Sequence, residues 1–181
     1  MITKGISLRD LAVFISDHCR RSGIEVVLSG GACVSIYTHN KYLSYDLNFV
    51  LLSHTTRATI RTAMEPLGFY EDGRYFRHPE TPYIVEFLSP PLSVGEEPVR
   101  EIREIRRAGK VLRLLSPTDC AKDRLAAFYY WDDRQSLGQA VLVCRDTEID
   151  LREVERWSAK EGMKDKFSQF KKALLEKKHP R

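Results

Sequence analysis

The stretch Glu25–Ser53, EVVLSGGACVSIYTHNKYLSYDLNFVLLS, constrains the fold of this chain more than any other. Val26, Val27 and Leu28 form a short apolar run that reads as a buried strand. The run ends at Ser29-Gly30-Gly31, and Ala32–Thr38 then reads as a helix. Paired glycines at a strand-to-helix turn permit positive φ and close backbone approach to a ligand. The following helix aims its free N–H groups and the positive end of its dipole at the same spot, which suits a phosphate. A second strand begins near Tyr45. Alternation puts Asp46, Asn48 and Val50 on one face and Leu47, Phe49 and Leu51 on the other. A carboxylate and a carboxamide thus stand side by side, close in sequence to a glycine turn.

The rest of the chain bounds what that unit can belong to. Its 181 residues suit one domain, or a compact domain with a helical extension. An apolar share of 43% is enough for a proper core. No stretch approaches the roughly 18–20 apolar residues of a membrane helix, so no membrane partner is expected. The first residues, MITKGISLRDLAVFISDHCRR, are interrupted by polar side chains and lack a small-residue cleavage site, unlike a signal peptide. Cys19, Cys33, Cys120 and Cys144 form no C-x-x-C pair and read as reduced thiols of a cytoplasmic protein. The net charge is +4, concentrated in Val99–Arg113 and in the tail from Lys164 to Arg181. Such stripes serve a nucleic-acid backbone or form a solvated face.

Along the chain, Ser7 caps a helix over Ser7–Arg21 whose apolar residues have helical spacing, and Gly23 ends it. Thr55–Met64 reads as a helix and Phe69–Phe76 as a strand turned at Asp72-Gly73. Pro82–Ser89 is an almost wholly apolar strand with one acid, Glu86, inside it. A buried lone carboxylate is costly unless paired or metal-bound. Glu86 is therefore either a ligand or a glutamate that reaches solvent or an arginine. Pro90–Glu97 reads as a loop. Glu101–Arg107 and Val111–Leu115 read as a hairpin around Ala108-Gly109, with a short charged helix over Val99–Arg107 as the alternative. Ser116, Pro117 and Asp119 make a strong helix start, followed by helical segments Thr118–Trp131, Arg134–Asp146, Leu151–Lys160 and Lys164–Lys177. The division expected is a mixed α/β core over 1–115 and a helical segment over 116–181.

Gly30-Gly31 followed by Lys41-Tyr-Leu-Ser-Tyr-Asp46-Leu-Asn48-Phe resembles the nucleotidyltransferase fold superfamily, the DNA polymerase β-like enzymes. Within it, the small bacterial toxin-type nucleotidyltransferases of abortive infection are most similar. Their Gly-Gly helix leads to an Arg/Lys-x-Ser/Thr-x-Asp-x-Asp strand. One departure stands out: the second aspartate is Asn48. The resemblance implies a nucleotidyltransferase-like mixed sheet with flanking helices, followed by the C-terminal helical segment. It implies a metal set of Asp46, Asn48 and Glu86 holding Mg²⁺ or Mn²⁺, and a nucleoside triphosphate held by Ser29, Gly30 and Gly31. Ser116–Leu125 resembles the helix after the catalytic core, where Lys122 takes the place of a lysine facing the nucleotide and Arg124 is its basic neighbour. Lys122 paired on the surface with Asp119 or Asp123 is the plainer reading. Asp133 is a helix cap or an acid near the site. Transfer of a nucleotide to a hydroxyl on RNA, such as tRNA, or on protein is the activity implied. The alternative is an inactive member of the fold that binds a nucleotide, RNA or a partner protein, on either side of a toxin–antitoxin pair. Tyr83, Tyr129, Tyr130 and Trp131 read as core, with base stacking open to one or two of them.

Overall fold

The alternation of Leu47 and Phe49 with Asp46 and Asn48 is answered by Val85 and Phe87 alternating with Ile84, Glu86 and Leu88, and the two strands lie side by side. These are β2 (Asp46–Leu51) and β5 (Ile84–Leu88) of a computed structural model that describes residues 2–176. Phe49 and Phe87 stack at 5.9 Å on the packed face, and Phe76 meets Phe87 edge-on at 5.7 Å. Burying an aromatic side chain of this size contributes about 2–3 kcal/mol.

Around this pair are β1 (Val26–Ser29), β3 (Tyr70–Asp72), β4 (Tyr75–Arg77), β8 (Ile102–Arg107) and β9 (Lys110–Leu115). Among the described residues, seven strands form one mixed sheet in the order β3-β4-β5-β2-β1-β9-β8. β1 runs antiparallel to β2 and parallel to β9, with Leu28 opposite Leu114. The β8–β9 stretch is a hairpin and not a helix; Ala108 and Gly109 both have positive φ at its turn. That geometry matches the right-handed twist of the strands it joins. Pro90–Glu97 is more than a loop, because a second hairpin pairs β6 (Ser93–Val94) with β7 (Glu97–Pro98).

Helix α1 (Leu8–Arg21) starts at the cap Ser7, whose oxygen accepts from the Asp10 amide at 3.1 Å, and packs its apolar stripe on β1 and β9. Helix α2 (Gly30–Tyr37) leaves β1 with no intervening loop and is buried along nearly its whole length. α3 (Arg57–Met64) follows the cap Thr56. After β9 come α4 (Pro117–Trp131), α5 (Arg134–Asp146), α6 (Leu151–Lys160) and α7 (Lys164–Leu175), the first three capped by Ser116, Asp133 and Asp150. α4 ends at Asp132, in the left-handed region, where the Lys166 amine donates to the carbonyls of Phe128 and Tyr129.

These helices are not packed apart from the sheet. Cys120, Ala121 and Val143 belong to the sheet's apolar cluster, while Leu125, Phe128, Tyr129, Trp157, Phe167 and Phe170 form a second cluster with Val94. Among the described residues, all four cysteines are free and no helix is long and apolar enough to cross a membrane. The last part of the helix expected over Lys164–Lys177 lies outside the described residues.

Candidate active site

The strand register builds the site. Ser29 faces Asn48 across β1–β2, Asn48 faces Glu86 across β2–β5, and Glu86 faces Tyr75 across β5–β4. Residues opposite one another in a sheet project to the same side. A row Ser29–Asn48–Glu86–Tyr75 therefore crosses one face, with Asp46 two residues before Asn48 on that same face. Asp46 is exposed, and its carboxylate has no hydrogen-bond or ion-pair partner among the described residues. Glu86 is paired: the Arg74 guanidinium approaches it at 3.3 Å and lies over the Tyr75 ring. The arginine partner weighed from the sequence is thus present, although β5 is an interior strand.

Gly30 brings the head of α2 onto this row. Its φ is +71°, a conformation that costs an L side chain about 1–2 kcal/mol. A Cβ there would also sit 3.1 Å from Asn48 Nδ2 and 3.8 Å from an Arg124 guanidinium nitrogen. Gly31 is packed differently. A Cβ on it would meet Ser44 Oγ at 3.2 Å and the Tyr42 ring at 3.3 Å, so what Gly31 approaches closely is the segment leading into β2. Ser35 Oγ accepts from the Ser44 amide, and Ser44 Oγ bonds both backbone groups of Asp46. This relay fixes the start of β2 against α2. Ser29 makes no side-chain cap; its hydroxyl donates to the Asn48 carbonyl at 3.3 Å. The head of α2 thus keeps its first amides free of side-chain partners.

Lys122 is not among the groups gathered here. Its buried amine donates to Asp119 at 3.1 Å and Glu153 at 3.2 Å, and lies 5.7 Å from the centre of the Trp157 ring. The reason is rotational. Cys120 faces Cys33 on α2, and Lys122 lies about 200° around α4 from it, on the side of α6. Arg124, one turn beyond Cys120, is the α4 cation that reaches the glycine turn, where Asp123 holds it at 2.5 Å. Its position was legible in principle, since it shares a helix face with the small residues Cys120 and Ala121. Asp133 is the α5 cap, accepting from the amides of Gln135 and Ser136. The Ser136 hydroxyl, then the Ser136 and Gln135 amides and last the Arg124 charge, hold its carboxyl below the usual range against the effect of burial. The Cys120 thiol, buried against Cys33, is held well above the ordinary thiol range and stays protonated.

Magnesium takes oxygen ligands, commonly one or two carboxylates completed by water and substrate phosphates. The carboxylates of Asp46 and Glu86 and the side-chain carbonyl of Asn48, on one face, are donors of the kind one such ion takes. Among the described residues no group of three or more His, Cys, Asp or Glu side chains is gathered as a metal would need.

Comparison with solved structures decides the architecture. An antigenic nucleotidyltransferase-like protein from Paracoccidioides brasiliensis superposes with a TM-score of 0.63 at 14% identity, over 92% of this chain and 91% of that one. The fold is that of the nucleotidyltransferases. The antibiotic-resistance factor ANT(2'')-Ia shares it, with a TM-score of 0.51 at 13% identity over 93% of this chain and 96% of its own. The same protein in complex with adenylyl-2''-tobramycin gives 0.53 at 14% identity, over 84% and 97%. No family model and no curated protein matches the sequence. At such identities the likeness establishes the nucleotidyltransferase-like fold alone.

Proposed function

We propose that the protein binds a nucleoside triphosphate at the Gly30-Gly31 turn and transfers its nucleotidyl group to a hydroxyl on RNA, tRNA included, or on protein. The observation that carries this reading is the row Ser29–Asn48–Glu86, with Asp46 beside it, meeting the uncapped head of α2 at a glycine whose positive φ and close neighbours disfavour a side chain. Amides at such a helix end bind the β- and γ-phosphates, and Arg124 would add the positive charge that the resemblance implied for Lys122. Asp46, Glu86 and the Asn48 carbonyl would hold one Mg²⁺, or Mn²⁺. When bound, that ion neutralises charge on the triphosphate and on the departing pyrophosphate. Asp46, open to solvent and without a protein partner among the described residues, would take the proton of the attacking hydroxyl. The new O–P bond forms at the α-phosphorus as the bond to the bridging oxygen breaks and pyrophosphate leaves.

Asn48 supports a second reading, nucleotide binding without transfer. It puts a neutral amide at the centre of the row, where a carboxylate would offset the charge of a second ion. Incubation with each labelled nucleoside triphosphate, Mg²⁺ or Mn²⁺ and total tRNA separates the two. Label transferred to tRNA or to the protein itself is the expected result. Calorimetric binding with no labelled product would favour the second reading.

A further inference from the structure

Beyond Arg124, α4 carries two small residues and then two large ones: Ala126, Ala127, Tyr130 and Trp131. Together with Asp123 and Arg124 they line one side of an open cavity of about 430 Å³. The opposite wall is the β6–β7 hairpin, through Ser93, Val94, Gly95 and Glu96. That wall is anchored from behind. Trp157 Nε1 donates to the Val94 carbonyl at 3.2 Å, the Glu96 amide donates to Glu161 at 2.9 Å, and Tyr130 donates its hydroxyl to the same Glu161 carboxylate. Gly95 has φ +59°, strained for an L side chain, and a Cβ there would lie 2.6 Å from the Glu161 carboxyl group and displace it from the hairpin. The cavity is therefore preformed, with Arg124 at one end and Trp131, 78% exposed, at the other. Seven residues of helix separate the two, a rise of about 10 Å, comparable with the reach of a nucleotide from its phosphates to its base.

We propose that this groove receives the base of the nucleotide, stacked on Trp131, with Glu96 setting base preference. The proposal rests on the reading of the Gly30-Gly31 turn as the phosphate site. An exposed indole offers a flat partner to any base. The Ala126-Ala127 floor leaves room for a ring. Glu96 is exposed, and its carboxylate makes no hydrogen bond or ion pair among the described residues, so it can accept from an exocyclic amine. Adenine, guanine and cytosine carry such an amine and uracil does not. Glu96 also disfavours a phosphate at this end, which leaves the uncharged base as the better occupant.

Tryptophan emission tests this directly. Trp157 is fully buried, so quenching by an added ligand in contact with indole reports on Trp131. Intact protein with Mg²⁺ is titrated with ATP, GTP, CTP, UTP and base-free tripolyphosphate, with calorimetry in parallel. The nucleotides should quench and tripolyphosphate should bind without quenching, with UTP the weakest nucleotide. Trp131→Ala should lose about ten- to a hundredfold in nucleotide affinity while tripolyphosphate affinity and Tm stay unchanged; Trp131→Phe should keep most of the affinity and lose the quench. Nucleotide binding with unchanged emission, or unchanged affinity in Trp131→Ala, would overturn the proposal and leave the phosphate site standing. Binding of neither nucleotide nor tripolyphosphate would overturn both.

Discussion

Asn48 Nδ2 lies 3.1 Å from the position of a Cβ on Gly30, and an Arg124 guanidinium nitrogen 3.8 Å from the same point. An aspartate of nearly the same shape would introduce a full charge between the glycine turn and Glu86. Asn48→Asp should therefore tighten Mg²⁺ binding at least about tenfold, because a full charge at contact distance outweighs an amide dipole. Calorimetric titration of both forms decides this, and equal affinities would mean that the amide has a role of its own. Arg124 and Lys122 make the sharper comparison. Arg124→Ala should weaken tripolyphosphate binding about tenfold, the scale of one charge-assisted contact. Lys122→Ala should leave binding within about twofold yet lower urea stability by about 3 kcal/mol, since it strands Asp119 without its buried partner. Had Lys122 been the phosphate ligand, the two affinities would change places.

Helices α4 and α6 and the β6–β7 hairpin are tied by a chain of charges running Asp119–Lys122–Glu153–Arg156–Glu97–Lys160. Arg156, and Lys160 after it, hold the Glu97 carboxyl down to about 2 from an ordinary value of 4.5. A carboxylate depressed in the folded state adds stability above its unfolded value and loses it as pH falls through the folded one. Its contribution should therefore be complete above pH 4.5 and fade towards pH 2. The two cations are half exposed or more, so screening by salt keeps the effect small. Thermal melts of wild type and Glu97→Gln should converge across that window and lie closer together at high salt throughout. What the sequence disclosed at this scale was local. Ser7, Ser116-Pro117, Asp133 and Asp150 each mark a helix start because a cap needs only its own next turn. The alternation of β2 and β5 was equally plain, and with it the shared face of Asp46 and Asn48. Two-residue strands have no periodicity to read, so β6–β7 passed for a loop. The direction of Lys122 depends on which face of α4 meets α2, which is settled by Cys33 and Cys120 coming together from distant parts of the chain.

Over the whole molecule, the excess of positive charge is less available than composition suggests. In the stretch from Arg100 to Arg113, Arg103, Arg106, Arg107 and Arg113 each have a carboxylate within 3.2 Å. Only Arg100 and Lys110 of its six cations lack one among the described residues. If that stripe binds tRNA through phosphates, the log–log salt slope should be about −2, from two contacts. A filter-binding series over ionic strength measures it, and a slope near −5 would show that the surface pairs open on binding. The position of β1 carries a different consequence. It sits between β2, its near neighbour in sequence, and β9, which it meets through Leu28 and Leu114. During synthesis the middle of the sheet must wait, one edge bare, for a strand made most of a hundred residues later. Such high contact order slows folding and leaves an edge on which other chains can pair. A nascent chain halted before Lys110 should be protease-sensitive and prone to aggregate, and one extended through Leu175 should not. The order in which this protein is made, as much as its final contacts, sets its need for a chaperone.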